Sequence, residues 1–175
     1  PLSTGNRDEM GIDPLTKRAV FLDRDGVIVR NVYYADEQCW EGPRRESDLA
    51  LADGAAGALR RLADAGYMLI LVSNQSNAAK GKASLAELEA THARLVGELS
   101  AVGISLDQAC YCYHHPNGRH PTLSGPCECR KPSPFFLLSA RKAFALDMRD
   151  CWMVGDRASD IECGRRAGAR TVLVE

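Results

Sequence analysis

Long apolar runs are missing from this 175-residue sequence: no stretch approaches the ~18 consecutive apolar residues of a membrane-spanning helix. The polar start from Pro1 to Thr16 also lacks the apolar segment of a secretory signal, so the cytoplasm is the expected compartment and no membrane partner is expected. A surplus of either charge is missing too. Against 23 acidic residues stand 22 basic ones, and the net charge of -1 removes the electrostatic case for a nucleic-acid partner. Internal repeats and low-complexity tracts are absent, which sets aside repeat arrays and flexible linkers.

Cysteine is the reverse case. The seven cysteines are an odd number, and four of them, Cys110, Cys112, Cys127 and Cys129, crowd into one segment with His114, His115 and His120. Clustering of that kind speaks for a metal rather than for disulfides.

The length suits a single domain, since domains commonly run roughly 100–200 residues. Residues 1–16 read as a flexible N-terminal segment, and residues 17–175 as the folded domain, with a metal-binding loop at 110–132. Two short apolar runs, residues 18–23 and 67–73, read as buried strands of a parallel sheet. Between them Ala55, Leu59, Leu62 and Ala63 recur at helical spacing and stop at Gly66, a helix C-terminal signal. A second helix opens at Ser84, where Ser84 and Glu87 have capping-box form. Leu85, Leu88, Leu95, Val96 and Leu99 give its apolar stripe up to Gly103. A strand follows at 108–113. Ser133 and Pro134 read as N-cap and first-turn proline of a helix carrying Phe136, Leu137, Ala140 and Phe144. Residues 151–155 form a fourth strand, 159–167 a helix closed by Gly168, and 170–174 a fifth strand. Alternating strands and helices predict an α/β fold, a Rossmann-like open parallel sheet with helices on both faces. Ligands then belong at the carboxyl ends of the strands. No sizeable insertion follows Ser73, so no large cap domain is expected. One long irregular stretch, residues 31–53, follows the first strand directly and is placed to overhang the site.

The strand ends carry the chemistry. Asp23-Arg24-Asp25-Gly26 sets two carboxylates one residue apart after a buried strand, so that one can serve as nucleophile and the other as general acid and base. Taken alone, the pattern equally fits a strand-to-turn connection. Other strand ends decide. Ser73 and Asn74 close the second strand with neutral donors suited to phosphate oxygens. Gly155-Asp156-Arg157-Ala158-Ser159-Asp160 closes the fourth with two further carboxylates suited to magnesium. Lys131 adds a cation ahead of a helix, apt for offsetting phosphoryl charge.

With these four motifs in order, the chain resembles the haloacid dehalogenase superfamily of phosphatases over nearly its whole length. The resemblance implies that Asp23 attacks phosphorus, and that Asp25 protonates the leaving oxygen and later activates water. It implies magnesium held by the Asp23 carboxylate, the Asp25 backbone carbonyl and Asp156, with Asp160 orienting Lys131 or a metal-bound water.

Cys112-Tyr113-His114-His115-Pro116, followed by Cys127-Glu128-Cys129-Arg130-Lys131-Pro132, offers thiolates and imidazole at short paired spacings that suit a structural, four-coordinate zinc site. This arrangement resembles the zinc loop of the heptose bisphosphate phosphatases and the related histidinol-phosphate phosphatases. The resemblance implies Cys112, His114, Cys127 and Cys129 as zinc ligands, and Ser73, Asn74, Arg130 and Lys131 as phosphate contacts. Cys110 is left out because the Cys112 and His114 pair already supplies two ligands, while His115 and His120 are alternatives to His114 or candidates to touch substrate. Asn77, Ala78 and Lys80 stand where the heptose enzymes usually carry Gly, an aliphatic residue and Arg, and residues 31–53 look longer than theirs. The expectation is a monomer hydrolysing a phosphate of a small sugar, heptose bisphosphate first and histidinol phosphate second. A non-catalytic zinc-binding module on the same fold is the opposed reading, against which the intact set of Asp23, Asp25, Lys131 and Asp156 argues.

Overall fold

The computed structural model describes residues 17–175; the expected flexible segment 1–16 lies outside the described residues. Five parallel strands form one sheet in the order β5-β4-β1-β6-β7. They are β1 (Ala19–Leu22), β4 (Met68–Asn74), β5 (Gln108–Cys112), β6 (Trp152–Gly155) and β7 (Arg170–Leu173). The first described strand, β1, lies in the centre of this sheet; the chain then runs outward on one side and returns to build the other. The reversal point therefore lies at β1, where open α/β sheets leave a crevice beyond the strand ends.

All four residues of β1 are buried, because helices cover both faces. Successive side chains of a strand point to opposite faces, and β1 divides accordingly. Ala19 and Phe21 join Ile70, Val72 and Met153 under α3 (Phe135–Phe144) and α4 (Ala158–Ala167), which contribute Leu137, Ala140, Cys163 and Ala167. Val20 and Leu22 join Leu69 and Leu71 under α1 (Ala55–Asp64) and α2 (Leu85–Ala101), which contribute Leu59, Leu95 and Leu99. The predicted Rossmann-like sheet with helices on both faces is the observed fold, and among the described residues there is no large cap domain. Among the described residues no helix is long and apolar enough to cross a membrane.

Local signals hold at several ends. The Ser84 hydroxyl accepts from Glu87 N–H (3.1 Å) while the Glu87 carboxylate accepts from Ser84 N–H (2.8 Å), the capping box read from the sequence. Gly66 and Gly168 both take the left-handed conformation past their helices.

Three helix readings need correction. In α2, Leu85 and Val96 are exposed, and the buried stripe is Leu88, Thr91, Leu95 and Leu99. Thr91 can occupy it because its hydroxyl donates to the Glu87 carbonyl (2.7 Å) within the helix. In α1, Ala63 faces solvent and Ala56 packs in its place. The helix α3 is capped at Pro134 rather than Ser133, although the Ser133 hydroxyl still accepts from Phe135 N–H (3.4 Å).

The stretch at 31–53 is not irregular. It holds an antiparallel pair, β2 (Val32–Tyr34) and β3 (Cys39–Glu41), and a 3-10 turn at Glu46–Asp48. A four-residue connection with Gln38 at φ 51° closes the hairpin, so none of the two-residue Asn-Gly or Asp-Gly turn signals is present. Polar contacts hold it. The Arg44 guanidinium meets Glu37 (2.6 Å) and Glu41 (3.1 Å) and lies over the Tyr34 ring at 3.8 Å. Lys82, in the turn after β4, pairs with the same two glutamates, at 2.6 Å from Glu41, and so ties the hairpin to the domain.

Candidate functional site

Asp23 follows β1 directly, and its N–H still bonds the Val154 carbonyl of β6 (2.9 Å), which fixes the carboxylate at the sheet end. Its side chain is buried, and Lys131 meets it with Nζ 3.0 Å from Asp23 Oδ1. The same ammonium lies 2.7 Å from Asp160 Oδ1 and donates to the Val72 carbonyl (2.7 Å). Three oxygens, from Asp23 just beyond β1, from β4 and from α4, thus surround a cation brought in from a loop. Lys131 remains charged, since Asp23 and Asp160 outweigh a burial that by itself disfavours the ammonium.

Asp23, Asp156 and Asp160 each offer a carboxylate oxygen within 4.8 Å of the others. Burial pushes the Asp23 carboxyl up; Lys131 opposes this, and Asp160 and Asp25 add to it. Burial likewise raises Asp156 against the pull of Arg157, and Asp156 Oδ1 is buried with no hydrogen-bond partner. Crowded carboxylates with an orphaned oxygen fit a hard divalent cation, which would offset the like charges and take the free acceptor. Gly26, with φ +82°, explains its place in the first motif: a Cβ there would stand 2.3 Å from Asp156 Oδ2. The Asp25 carboxylate lies apart from this group. It accepts from Arg24 Nε (2.7 Å) and Gln75 Nε2 (2.6 Å).

Ser73, at the end of β4, is buried and its hydroxyl accepts from Gln75 Nε2 (3.0 Å). Asn74 and Lys131 bond reciprocally: Lys131 N–H donates to Asn74 Oδ1 (3.0 Å) and Asn74 Nδ2 to the Lys131 carbonyl (3.2 Å). In this arrangement the Asn74 amide grips the peptide that presents the lysine. Arg130 donates to the His114 carbonyl (3.1 Å), and its side chain lines one cleft with Asp23, Asp25, Ser73, Asn74 and Lys131. Arg157, Ser159 and Asp160 complete that lining.

Beside the cleft, Cys112, His114, Cys127 and Cys129 converge. The sulfur pairs Cys112–Cys127 and Cys127–Cys129 are 3.6 and 3.8 Å apart. His114 Nδ1 lies 4.0 Å from Cys112 Sγ and 3.7 Å from Cys129 Sγ. A tetrahedron with Zn–S of ~2.3 Å and Zn–N of ~2.0 Å has edges of roughly 3.8 Å between sulfurs and about 3.6 Å from sulfur to nitrogen, so the set fits zinc. Cys110 is packed in the core beneath α3 and α4 and takes no part. His115 and His120 stay outside the group; each accepts a nearby backbone N–H at Nδ1, from Asn117 (3.2 Å) and Thr122 (3.3 Å). The loop that carries these four residues is also tied to the turn after β4, where Arg119 and His120 N–H both donate to the Ala79 carbonyl (2.6 and 3.1 Å).

Sequence reasoning passed over Arg24 and Gln75, which are almost fully buried against Asp25, and Gly42, where a Cβ would stand 2.1 Å from Asp25 Oδ2. The segment 31–53 therefore does reach the site, through Gly42 and Pro43. Within that segment Arg44 is engaged in the hairpin's ion pairs, and Trp40 and Arg45 are exposed.

Comparison with known proteins agrees with this geometry. A HAD-hydrolase-like family model matches residues 128–175. The chain is 37% identical over 150 residues, 86% of this chain and 79% of the relative, to the D-glycero-beta-D-manno-heptose-1,7-bisphosphate 7-phosphatase of Rhodopseudomonas palustris. It is 34% identical over 151 residues, 86% of this chain and 78% of the relative, to the D-glycero-alpha-D-manno-heptose-1,7-bisphosphate 7-phosphatase of Photorhabdus laumondii. Among solved structures, the D,D-heptose 1,7-bisphosphate phosphatase of B. bronchiseptica, complexed with magnesium and phosphate, superposes with a TM-score of 0.75 at 27% identity, covering 90% of this chain and 80% of that one.

Proposed function

We infer the activity from one premise: this chain belongs to the HAD-like hydrolases, in the family of the heptose-1,7-bisphosphate 7-phosphatases. It is a phosphatase, a phosphoric monoester hydrolase. We propose D-glycero-D-manno-heptose 1,7-bisphosphate as substrate, with the 7-phosphate removed. Relatives named for each anomer stand at similar identity, so the anomer is left to experiment. Histidinol phosphate, or a sugar phosphate other than the heptose, is the alternative. Seven free cysteines, three of them in the candidate zinc set, suit a reducing cytoplasm.

In the proposed mechanism an Asp23 carboxylate oxygen attacks phosphorus, and the bond from phosphorus to the sugar oxygen breaks. Asp25, as the acid, delivers its proton to that leaving oxygen. Asp25 then takes a proton from water as the water oxygen attacks phospho-Asp23, which releases inorganic phosphate, restores the Asp23 carboxylate and returns Asp25 to its acid form. Ser73, Asn74, Arg130 and Lys131 surround the phosphate position, Asn74 acting through its hold on the Lys131 peptide. Magnesium at Asp23, Asp156 and the Asp25 carbonyl would offset charge on the phosphoryl oxygens. Zinc at Cys112, His114, Cys127 and Cys129 would order the loop that presents Arg130 and Lys131.

The observation that carries this reading is the buried Asp23 carboxylate at the end of β1, paired with Lys131 and crowded by Asp156 and Asp160. The test is phosphate release from a panel of both heptose bisphosphate anomers, histidinol phosphate and fructose 1,6-bisphosphate, with and without magnesium. Release that needs magnesium and is fastest with a heptose bisphosphate is expected. An inert protein would instead favour a zinc-binding module on this fold.

A further inference from the structure

We propose that Arg24 and Gln75 are positioning residues for Asp25, and that together they form a buried bracket setting the aim of its carboxylate. The proposal rests on the reading of Asp25 as the proton shuttle.

Arg24 stands between two aspartates in a turn, where an arginine would ordinarily reach into solvent, yet it is 0% exposed. Burying a guanidinium is unfavourable unless its donors find acceptors in good geometry. Here they do. Nε and one terminal nitrogen fork onto the two oxygens of Asp25 at 2.7 and 3.3 Å, and that nitrogen also donates to Gln75 Oε1 at 2.8 Å and to the Pro43 carbonyl at 3.4 Å.

Gln75 closes the bracket from β4. Its Oε1 faces the guanidinium, and its Nε2 donates to Asp25 Oδ2 at 2.6 Å and to Ser73 Oγ at 3.0 Å. The opposite amide orientation would set donor against donor and acceptor against carboxylate, so the neighbours fix it. Across from them Gly42 presents backbone alone, since a Cβ there would overlap the carboxylate. Asp25 is thus held from three sides. A purely neutralising ion pair would need only the arginine; the glutamine adds a bond that runs on to the serine beside the phosphate position. That bond ties the aim of the proton donor to the group that receives the substrate's phosphate.

The test compares two esters, because kcat/KM reports the steps through departure of the leaving group. 4-Nitrophenyl phosphate leaves as a stabilised phenolate and needs little help from an acid. The alkyl phosphate of the panel that the wild type turns over fastest needs a proton on its leaving oxygen. Gln75→Leu should lower kcat/KM for the alkyl ester on the order of 10²-fold, within the range of general acid catalysis, with a loss for the aryl ester about tenfold smaller. Arg24→Lys, which keeps the charge but not the fork, should show the same selectivity. Equal losses for the two esters, or no loss for either in Gln75→Leu, would overturn the bracket. If Arg24→Lys fails to fold on a thermal melt, Gln75→Leu decides alone, and Gln75→Met replaces it should leucine also disturb the fold. A wild type inert toward every ester would instead overturn the phosphatase reading itself.

Discussion

Two walls of one cleft are built by opposite means. On one side Asp23, Ser73, Lys131 and Asp160 are buried at strand ends or against them, each fixed by neighbours that belong to the sheet and its helices. On the other, no residue from Tyr113 to Arg130 is fully buried, and the loop is joined to the domain by a few backbone bonds and four converging metal-type ligands. The first wall gains order from the same apolar burial that folds the protein, whereas in the proposed reading the second would gain it from a bound zinc ion. Damage to the first should therefore fall on chemistry and stability together, and damage to the second on substrate binding with the fold preserved.

The largest effect is expected at the buried wall. Asp23→Asn removes the proposed nucleophile while keeping its shape, and turnover should fall by at least about 10³-fold with zinc content unchanged. Phosphate release combined with elemental analysis measures both, and turnover within tenfold of wild type would reassign the nucleophile. Lys131→Met is the next step down. It leaves Asp23 and Asp160 facing each other without their cation, and breaking a buried pair in this way costs about 3–5 kcal/mol. Urea unfolding should show that loss, and added magnesium should recover part of it, since a bound cation restores the balance of charge.

At the metal-ordered wall the effect should be smaller and of another kind. Cys127→Ser should release zinc and lower kcat/KM by about 10–100-fold through a raised KM, while the urea midpoint of the sheet stays near that of wild type. Retained zinc with full activity would remove the contrast between the walls. The hairpin gives the smallest expected change. Arg44→Met removes a buried guanidinium, but its partners Glu37 and Glu41 both touch water and keep Lys82, so the cost should stay at about 1 kcal/mol. That cost should shrink further at high salt. A loss above about 3 kcal/mol would show that the hairpin belongs with the buried wall.

Much of this was legible in the chain. The apolar runs at β1 and β4, the Ser84 and Glu87 cap, and the glycines after α1 and α4 are local signals, and the structure follows them to within a residue or two. The four ligands of the candidate zinc site were legible because thiols at short spacing have few other uses. The hairpin was not, since it has no short turn signal and its strands of three residues are held by Arg44, Glu37, Glu41 and Lys82 rather than by alternating apolar side chains. Thr91 was missed in α2 because a satisfied hydroxyl can pack like a methyl group, which a hydrophobic pattern does not register.

The sequence by itself determined the order of the five sheet strands and the four α-helices, the placing of Asp23, Asp25, Ser73, Lys131 and Asp156 at or just beyond strand ends, and the residues able to hold zinc, because periodicity, caps and motif spacing act over a few neighbouring positions. Only the tertiary structure decided that Arg24 turns inward, that Gln75 reaches Asp25, that Asn74 grips the Lys131 peptide and that Gly42 lies against the carboxylate. The reason is physical. The direction of a polar side chain in a loop is set by the partners that satisfy its hydrogen bonds, and here those partners stand 50 residues away for Gln75 and Asp25 and 57 for Asn74 and Lys131.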